Sequence, residues 1–187
     1  MPEFNPDDAN RLLDEAGLKR RGPGGLRMEV KILSPVSAAL VEIGRLLVAQ
    51  LAAVGIQMEL VMLSPAEWLE RVSRNRDYDL AMTLESVIPD PVSLEFRYST
   101  LGSTNFMNYS NAQVDADLAA GASASDLEER ATYYHRAQIQ LAQDLPAAPL
   151  ADYVQFVIFQ SKVIGLPQIE ARGLVGIHDF SLVRIQP

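Results

Sequence analysis

Apolar positions along this chain switch repeatedly between a period of two and a period near 3.6. In residues 26–33, LRMEVKIL, the apolar residues Leu26, Met28, Val30 and Ile32 alternate with Arg27, Glu29 and Lys31. That alternation predicts a half-exposed strand. After Ser34-Pro35 the rhythm changes: Val36, Leu40, Ile43, Leu47, Leu51 and Val54 recur at steps of four, three, four, four and three. This is the spacing of one helical face, and Gly55 ends it. Residues 56–63, IQMELVML, alternate again as a second strand. Ser64-Pro65-Ala66-Glu67 then has the form of a capping box, Ser64 at N-cap and Glu67 at N3, opening a short helix that carries Trp68. A third strand is predicted over Tyr78–Glu85. Upstream, Asn5-Pro6-Asp7-Asp8 predicts a helix start, with Ala9, Leu12, Leu13 and Ala16 as its apolar stripe and Gly17 as its stop. Strands alternating with helices in this order predict parallel crossovers and an α/β layer architecture.

The second half is patterned differently. Residues 86–110 read as a long turn-rich stretch that begins with Pro89-Asp90-Pro91. Two prolines fix φ and remove donors, so they stop the third strand and stiffen the residues after it. Helices are predicted around 112–120 and over 126–144, broken by Leu145-Pro146 and Pro149. The segment Asp152–Gln160, DYVQFVIFQ, is the most β-prone of the chain, and a last strand is predicted at Ser181–Ile185. No internal repeat is present.

Composition narrows the functions open to such a domain. The 187 residues carry 16 Lys+Arg against 24 Asp+Glu, a net charge of −8. An acidic surface repels phosphate backbones, and the short run Lys19-Arg20-Arg21 reads as a helix cap, so no nucleic-acid partner is expected. There is no cysteine, hence no disulfide framework and no thiol nucleophile. His135 and His178 lack a carboxylate or second histidine at metal-ligand spacing, so neither a metal nor a cofactor is expected. No G-x-S-x-G elbow or Ser-x-x-Lys is present. No apolar run is long enough to span a membrane. The first residues, MPEFNPDD, lack the charged and apolar regions of a signal peptide, and a piece of a longer chain is expected.

The position of the 86–110 stretch carries the functional signal. In open α/β sheets ligands bind beyond the carboxyl ends of the strands. This stretch comes after the third strand and holds Arg97, Tyr98, Asn105, Asn108 and Tyr109, side chains suited to hydrogen bonding a ligand. Asp90, between its prolines, reads as an Asx-type turn former that shapes the wall without touching the ligand. Glu128 and Arg130 read as surface and helix-packing residues. Two other classes remain open at this point. One is a hydrolase using Glu85 and Asp90 as acid and base. The other is a protein-interaction module with Asp152–Gln160 as an exposed edge.

Four segments in this order resemble the family 5 extracellular solute-binding proteins, the dipeptide, oligopeptide and nickel receptors of ABC importers. They are NPDDANRLLDEAGL, ALVEIGRLLVAQLAAVGIQMEL, RNRDYDLAMTLESVIPDP, and NFMNYSNAQVDADLAAGASASDLEERATYYHRAQIQLAQDLPAAPL. The resemblance covers residues 5–166 and leaves 167–187 as a tail. It implies a periplasmic-binding-protein-like (type II) lobe with a mixed, mostly parallel sheet flanked by helices, an incomplete clamp. The chain would then be most of a C-terminal lobe of a two-lobed receptor, monomeric, periplasmic or extracellular and lipid-anchored in its full form. Its implied partners are a small-molecule or peptide ligand, the opposing lobe and an ABC permease. It would catalyse nothing. The ligand-binding residues this implies are Glu85, Ser86, Val87, Asp90, Arg97 and Asn105. In the peptide receptors, an aspartate three positions before the acid of the acid-Pro pair receives the ligand's ammonium group. Aligned on Asp90-Pro91, that position is Val87, which supplies no such charge-assisted bond.

Overall fold

The computed structural model describes residues 4–84, 90–152, 160–165 and 183–186. Helix α1 (Pro6–Glu15) opens as its sequence requires, with the Asn5 side chain accepting from the backbone N–H groups of Asp7 and Asp8 at 3.1 Å each. Strand β1 (Met28–Pro35) pairs in parallel with β2 (Ile56–Leu63), Met28 opposite Ile56 and Pro35 opposite Leu63. Helix α2 (Ala38–Ala53) makes the crossover between them. Strand β3 (Leu80–Ala81) pairs in parallel with the other edge of β1, so the sheet order is β2-β1-β3.

Alternation along β1 sends successive side chains to opposite faces. Ile32 packs with Leu40, Met58 and Met82 under α2, and Leu33 packs with Leu63 and Val72 on the other face. That second face is completed by α3 (Pro65–Trp68) and the π-helical turn Leu69–Arg74 that continues it. The Trp68 and Phe106 rings meet edge to face there, with centroids 5.8 Å apart. The capping box forms as its spacing predicts: the Glu67 amide donates to Ser64 Oγ at 3.3 Å, and the Ser64 amide donates to the Glu67 carboxylate at 3.0 Å. At the α2–β2 junction Gly55 has φ +86°, and a Cβ there would meet the Gly25 carbonyl oxygen at 2.7 Å. Only glycine fits on both counts.

Helix α1 buries no residue of its own. It is held by polar contacts centred on Arg27, whose side chain is 2% exposed. The Arg27 guanidinium donates to Val54 O at 2.8 Å, to Asn10 Oδ1 at 3.0 Å, to Asp14 at 2.5 Å and to the Leu18 carbonyl. Its hydrogen bond holds the Asp14 carboxyl below its ordinary value. The basic run 19–21 does act as a cap, but for a different helix: Arg20 donates to Ala53 O, at the C-terminus of α2, at 2.8 Å.

Beyond the sheet, helices α5 (Ala112–Ser123) and α6 (Leu127–Asp144) form an antiparallel hairpin around Val114, Leu118, Tyr134 and Ala137. A small antiparallel pair, β4 (Val163–Ile164) with β5 (Arg184–Ile185), completes the described elements. The α-β-α-β-α-β order and the parallel sheet are those expected from the sequence. The turn-rich reading of 86–110 needs correction, because α4 (Ser93–Tyr98) lies inside it. Its N-cap, Val92, makes no side-chain cap bond, so the usual start signal is missing. Residues 153–159 of the β-prone segment lie outside the described residues.

Candidate functional site

The candidate site lies where the chain leaves β3. One bond fixes that exit, the Met82 amide donating to Leu33 O at 2.8 Å, and another holds the entry to β3, the Lys31 amide donating to Asp79 Oδ2 at 2.8 Å. Glu85, Ser86 and Val87 fall outside the described residues. The chain is described again from Asp90, where the expected Asx-type turn is present. Asp90 Oδ1 accepts from the Val92 amide at 2.8 Å, and its carbonyl oxygen accepts from Ser93 Oγ at 3.2 Å. The same Oδ1 accepts a hydrogen bond from Arg130 Nη2 at 2.6 Å. This one carboxylate oxygen is thus shared by the backbone and a cation of its own chain.

Helix α4 comes next, with Arg97 half-buried in its last turn. The chain then folds back on α4, the Thr104 amide donating to Phe96 O at 2.9 Å. Asn105 is buried at 4% exposure, and its amide is spent inside the loop. Nδ2 donates to Ser99 O at 3.0 Å and Tyr109 O at 2.7 Å, and Oδ1 accepts from the Tyr109 amide at 3.1 Å. Asp115 ties this loop to α5 by accepting from the Thr100 amide at 2.7 Å and from Thr100 Oγ1 at 2.5 Å. Asn108 accepts from Arg76 at 3.0 Å, which joins the loop to the end of the π-helical turn.

The Tyr109 hydroxyl donates to Asp144 at 2.5 Å, and Asn111, the N-cap of α5, donates to the same oxygen at 2.8 Å. Burial first, then the Asp144 bond, pushes the Tyr109 hydroxyl up to about 12, while that bond and those from Asn111 and Gln140 hold Asp144 low. Sequence reasoning missed this node, because Tyr109 and Asp144 are 35 positions apart and no short spacing joins them. It missed equally the pair of buried Asp117 (2% exposed) with Arg136, which bridges the hairpin. Burial raises the Asp117 carboxyl, but hydrogen bonds from Arg136 and Gln113 and the Arg136 charge outweigh it, and the net shift is downward.

These bonds tie the loop from Asp90 onward to α5, α6 and the π-helical turn. On the Asp90 side the hydrolase reading gains no support: the carboxylate's Oδ1 is engaged by Arg130 and the Val92 amide. A shallow cavity of about 310 Å³ lies beside it, lined among the described residues by Pro91, Leu127, Arg130, Tyr134, His135 and Gln138, none of them a second carboxylate.

A parallel sheet with helices on both faces and, from Asp90 onward, a hydrogen-bonded loop is as expected of a periplasmic binding-protein lobe. Residues 1–108 match the family described as bacterial extracellular solute-binding proteins, family 5 Middle, and the chain belongs to that family. It is 26% identical over 174 residues to heme-binding protein A of Haemophilus influenzae, covering 88% of this chain and 30% of that one. Among solved structures it resembles HbpA2 from Haemophilus parasuis, with TM-score 0.77, 26% identity, and coverage of 99% and 36% of the two chains. It also resembles the periplasmic binding protein DppA of Helicobacter pylori in complex with the peptide STSA, with TM-score 0.79, 24% identity, and coverage of 99% and 35%. The chain spans about a third of the length of these relatives. The family and these neighbours are binding proteins, which fits neither the hydrolase nor the interaction-module reading.

Proposed function

We propose that this chain is the C-terminal lobe portion of an ABC-importer receptor, which closes with an opposing lobe over a solute and delivers it to a membrane permease. The observation that carries this reading is the family match over residues 1–108, more than half the chain. In this reading the receptor works outside the cytoplasmic membrane, held there by a lipid anchor, and performs no catalysis. No described helix is long and apolar enough to cross a membrane.

The loop chemistry supports a solute without a free ammonium group. On the resemblance to the peptide receptors, aligned on Asp90-Pro91, Val87 takes the position of their ligand-binding acid. The nearest described carboxylate, Asp90, is neutralised by Arg130 at 2.6 Å. At the Val87 position a ligand cation finds no carboxylate, which leaves Glu85 as the acid among the residues proposed to face it. Glu85, Ser86, Val87 and Arg97 are proposed to face the ligand, with Asp90 and Asn105 holding their loop in shape. Titration calorimetry on the full-length receptor with hemin and with the peptide STSA tests this. Binding of the amine-free hemin with no measurable heat from the peptide is expected. Micromolar or tighter binding of the peptide would overturn the assignment.

A further inference from the structure

We infer that Arg130 is a positioning residue for ligand binding, the pin that fixes the Asp90 end of the ligand-facing loop to the α5–α6 hairpin. This rests on the receptor reading above. Arg130 sits on α6, 40 positions from Asp90, yet its guanidinium joins three parts of the fold. Nη2 donates to Asp90 at 2.6 Å, Nη1 donates to the Gly121 carbonyl oxygen of α5 at 3.1 Å, and the guanidinium carbon lies 5.1 Å from the centroid of the Tyr134 ring. The side chain is 22% exposed, so these bonds are partly shielded from water.

The support beneath Arg130 is itself built closely. A Cβ on Gly121 would meet the Tyr134 ring at 3.0–3.2 Å, so the ring occupies the space that glycine leaves free. The Tyr134 hydroxyl is buried and has no hydrogen-bond partner among the described residues. The ring face under the guanidinium is therefore the polar use this tyrosine shows there, a cation–π platform. Donation from two nitrogens of one plane to two separate acceptors, with stacking on a ring, is what arginine supplies and lysine does not. On the other side, Asp90 presents one oxygen to both Val92 and Arg130, so the cation also stabilises the Asx turn that opens α4.

The Asx turn at Asp90 leads directly into α4, which carries Arg97, one of the residues proposed to face the ligand. A helix start held in place before a ligand arrives loses less freedom on binding, which lowers the cost of binding. Removing Arg130 releases this anchor and deletes no member of the hydrophobic clusters.

Two measurements test this. In this chain alone, without ligand, amide hydrogen exchange is compared between the unaltered protein and Arg130→Gln. Exchange at Val92 and Ser93 is expected to quicken about tenfold while β1 amides keep their protection. Unchanged exchange at Val92 would overturn the pin. In the full-length receptor, Arg130→Gln is expected to raise the Kd for hemin about tenfold through faster dissociation, with Arg130→Lys intermediate. In an Asp90→Asn background the same change is expected to add less than about threefold, because both substitutions break one contact. A lowered Tm with unchanged Kd, or full additivity, would make Arg130 a merely structural residue and contradict the inference. Failure of the wild-type receptor to bind hemin or the peptide STSA would overturn the receptor reading, while the exchange result still decides the pin.

Discussion

The two halves of this domain are held together by different chemistry. The β1-α2-β2 half is locked by apolar layers: Ile32, Leu40, Met58 and Met82 on one face of the sheet, and Leu33, Leu63 and Val72 on the other. The α5–α6 half has a core of Val114, Leu118, Tyr134 and Ala137, braced inside the hairpin by Asp117 with Arg136. Polar pairs join it to the preceding loop beside the apolar contacts of Leu94, Tyr98 and Tyr109. These pairs are Tyr109 with Asp144, Asp115 with Thr100, and Asp90 with Arg130. Hydrophobic burial is indifferent to pH and nearly so to salt, whereas hydrogen-bonded ion pairs respond to both. The lesson is positional. The scaffold half supplies stability without direction, and the half nearer the proposed ligand wall uses bonds that fix geometry.

Volume loss should affect both halves alike. Leu33→Ala and Leu118→Ala each remove a fully buried side chain, and each should cost about 3 kcal/mol in urea unfolding. A difference of more than about 2 kcal/mol between them would show that the second core is loosely packed. Charge loss should then separate the halves. Asp117→Ala strips Arg136 and Gln113 of their acceptor and should cost about 1–3 kcal/mol. Its effect should appear as lost amide protection in α5 and α6 and not in β1.

Titration sharpens the same contrast. Asp117 and Asp144 both have lowered folded-state values, so each binds its proton less readily when folded than when unfolded. Their stabilisation is complete above the unfolded carboxylate value of about 4 and is lost as pH falls through their lowered values. Acid should therefore loosen α5–α6 before the sheet, a sequence that hydrogen exchange below about pH 4 would reveal. Tyr109 runs the other way. Its folded value of about 12 exceeds the free phenol's, so its contribution is full below about pH 10 and disappears as pH rises through 12. Tyr109→Phe should cost about 1 kcal/mol at neutral pH and remove that alkaline loss. Smallest of all, Glu67→Ala removes half of the capping box at α3 and should show as a small Tm decrease.

Local chemistry makes much of the fold legible. Asn5 and Ser64 cap the helices that their spacing predicts, and the strand at 56–63 has the bounds its alternation implies. The strand predicted at 26–33 forms two residues later, as Met28–Pro35, because the whole of β1 through Pro35 registers on β2. Tertiary pairing overrides the local boundary. Helix α4 is hidden from pattern because it begins after a proline turn at an uncapped valine. The candidate wall is legible only in part. The Asx role of Asp90 can be read from its two flanking prolines, but its partner Arg130 is far away in the chain and has the pattern of a packing residue. Asn105 has the residue type of a ligand donor, and only the fold reveals that its amide is spent on Ser99 and Tyr109.

The central claim is that this loop carries valine, not an acid, at position 87, the position proposed to meet a ligand ammonium group. The most direct measurement is calorimetric titration of the full-length Val87→Asp receptor with the peptide STSA, beside the unaltered receptor. A carboxylate restored at that position should create measurable peptide binding where the unaltered receptor has none, a gain of at least about tenfold in affinity. Equal absence of binding in both receptors, or tight peptide binding by the unaltered one, would contradict the account.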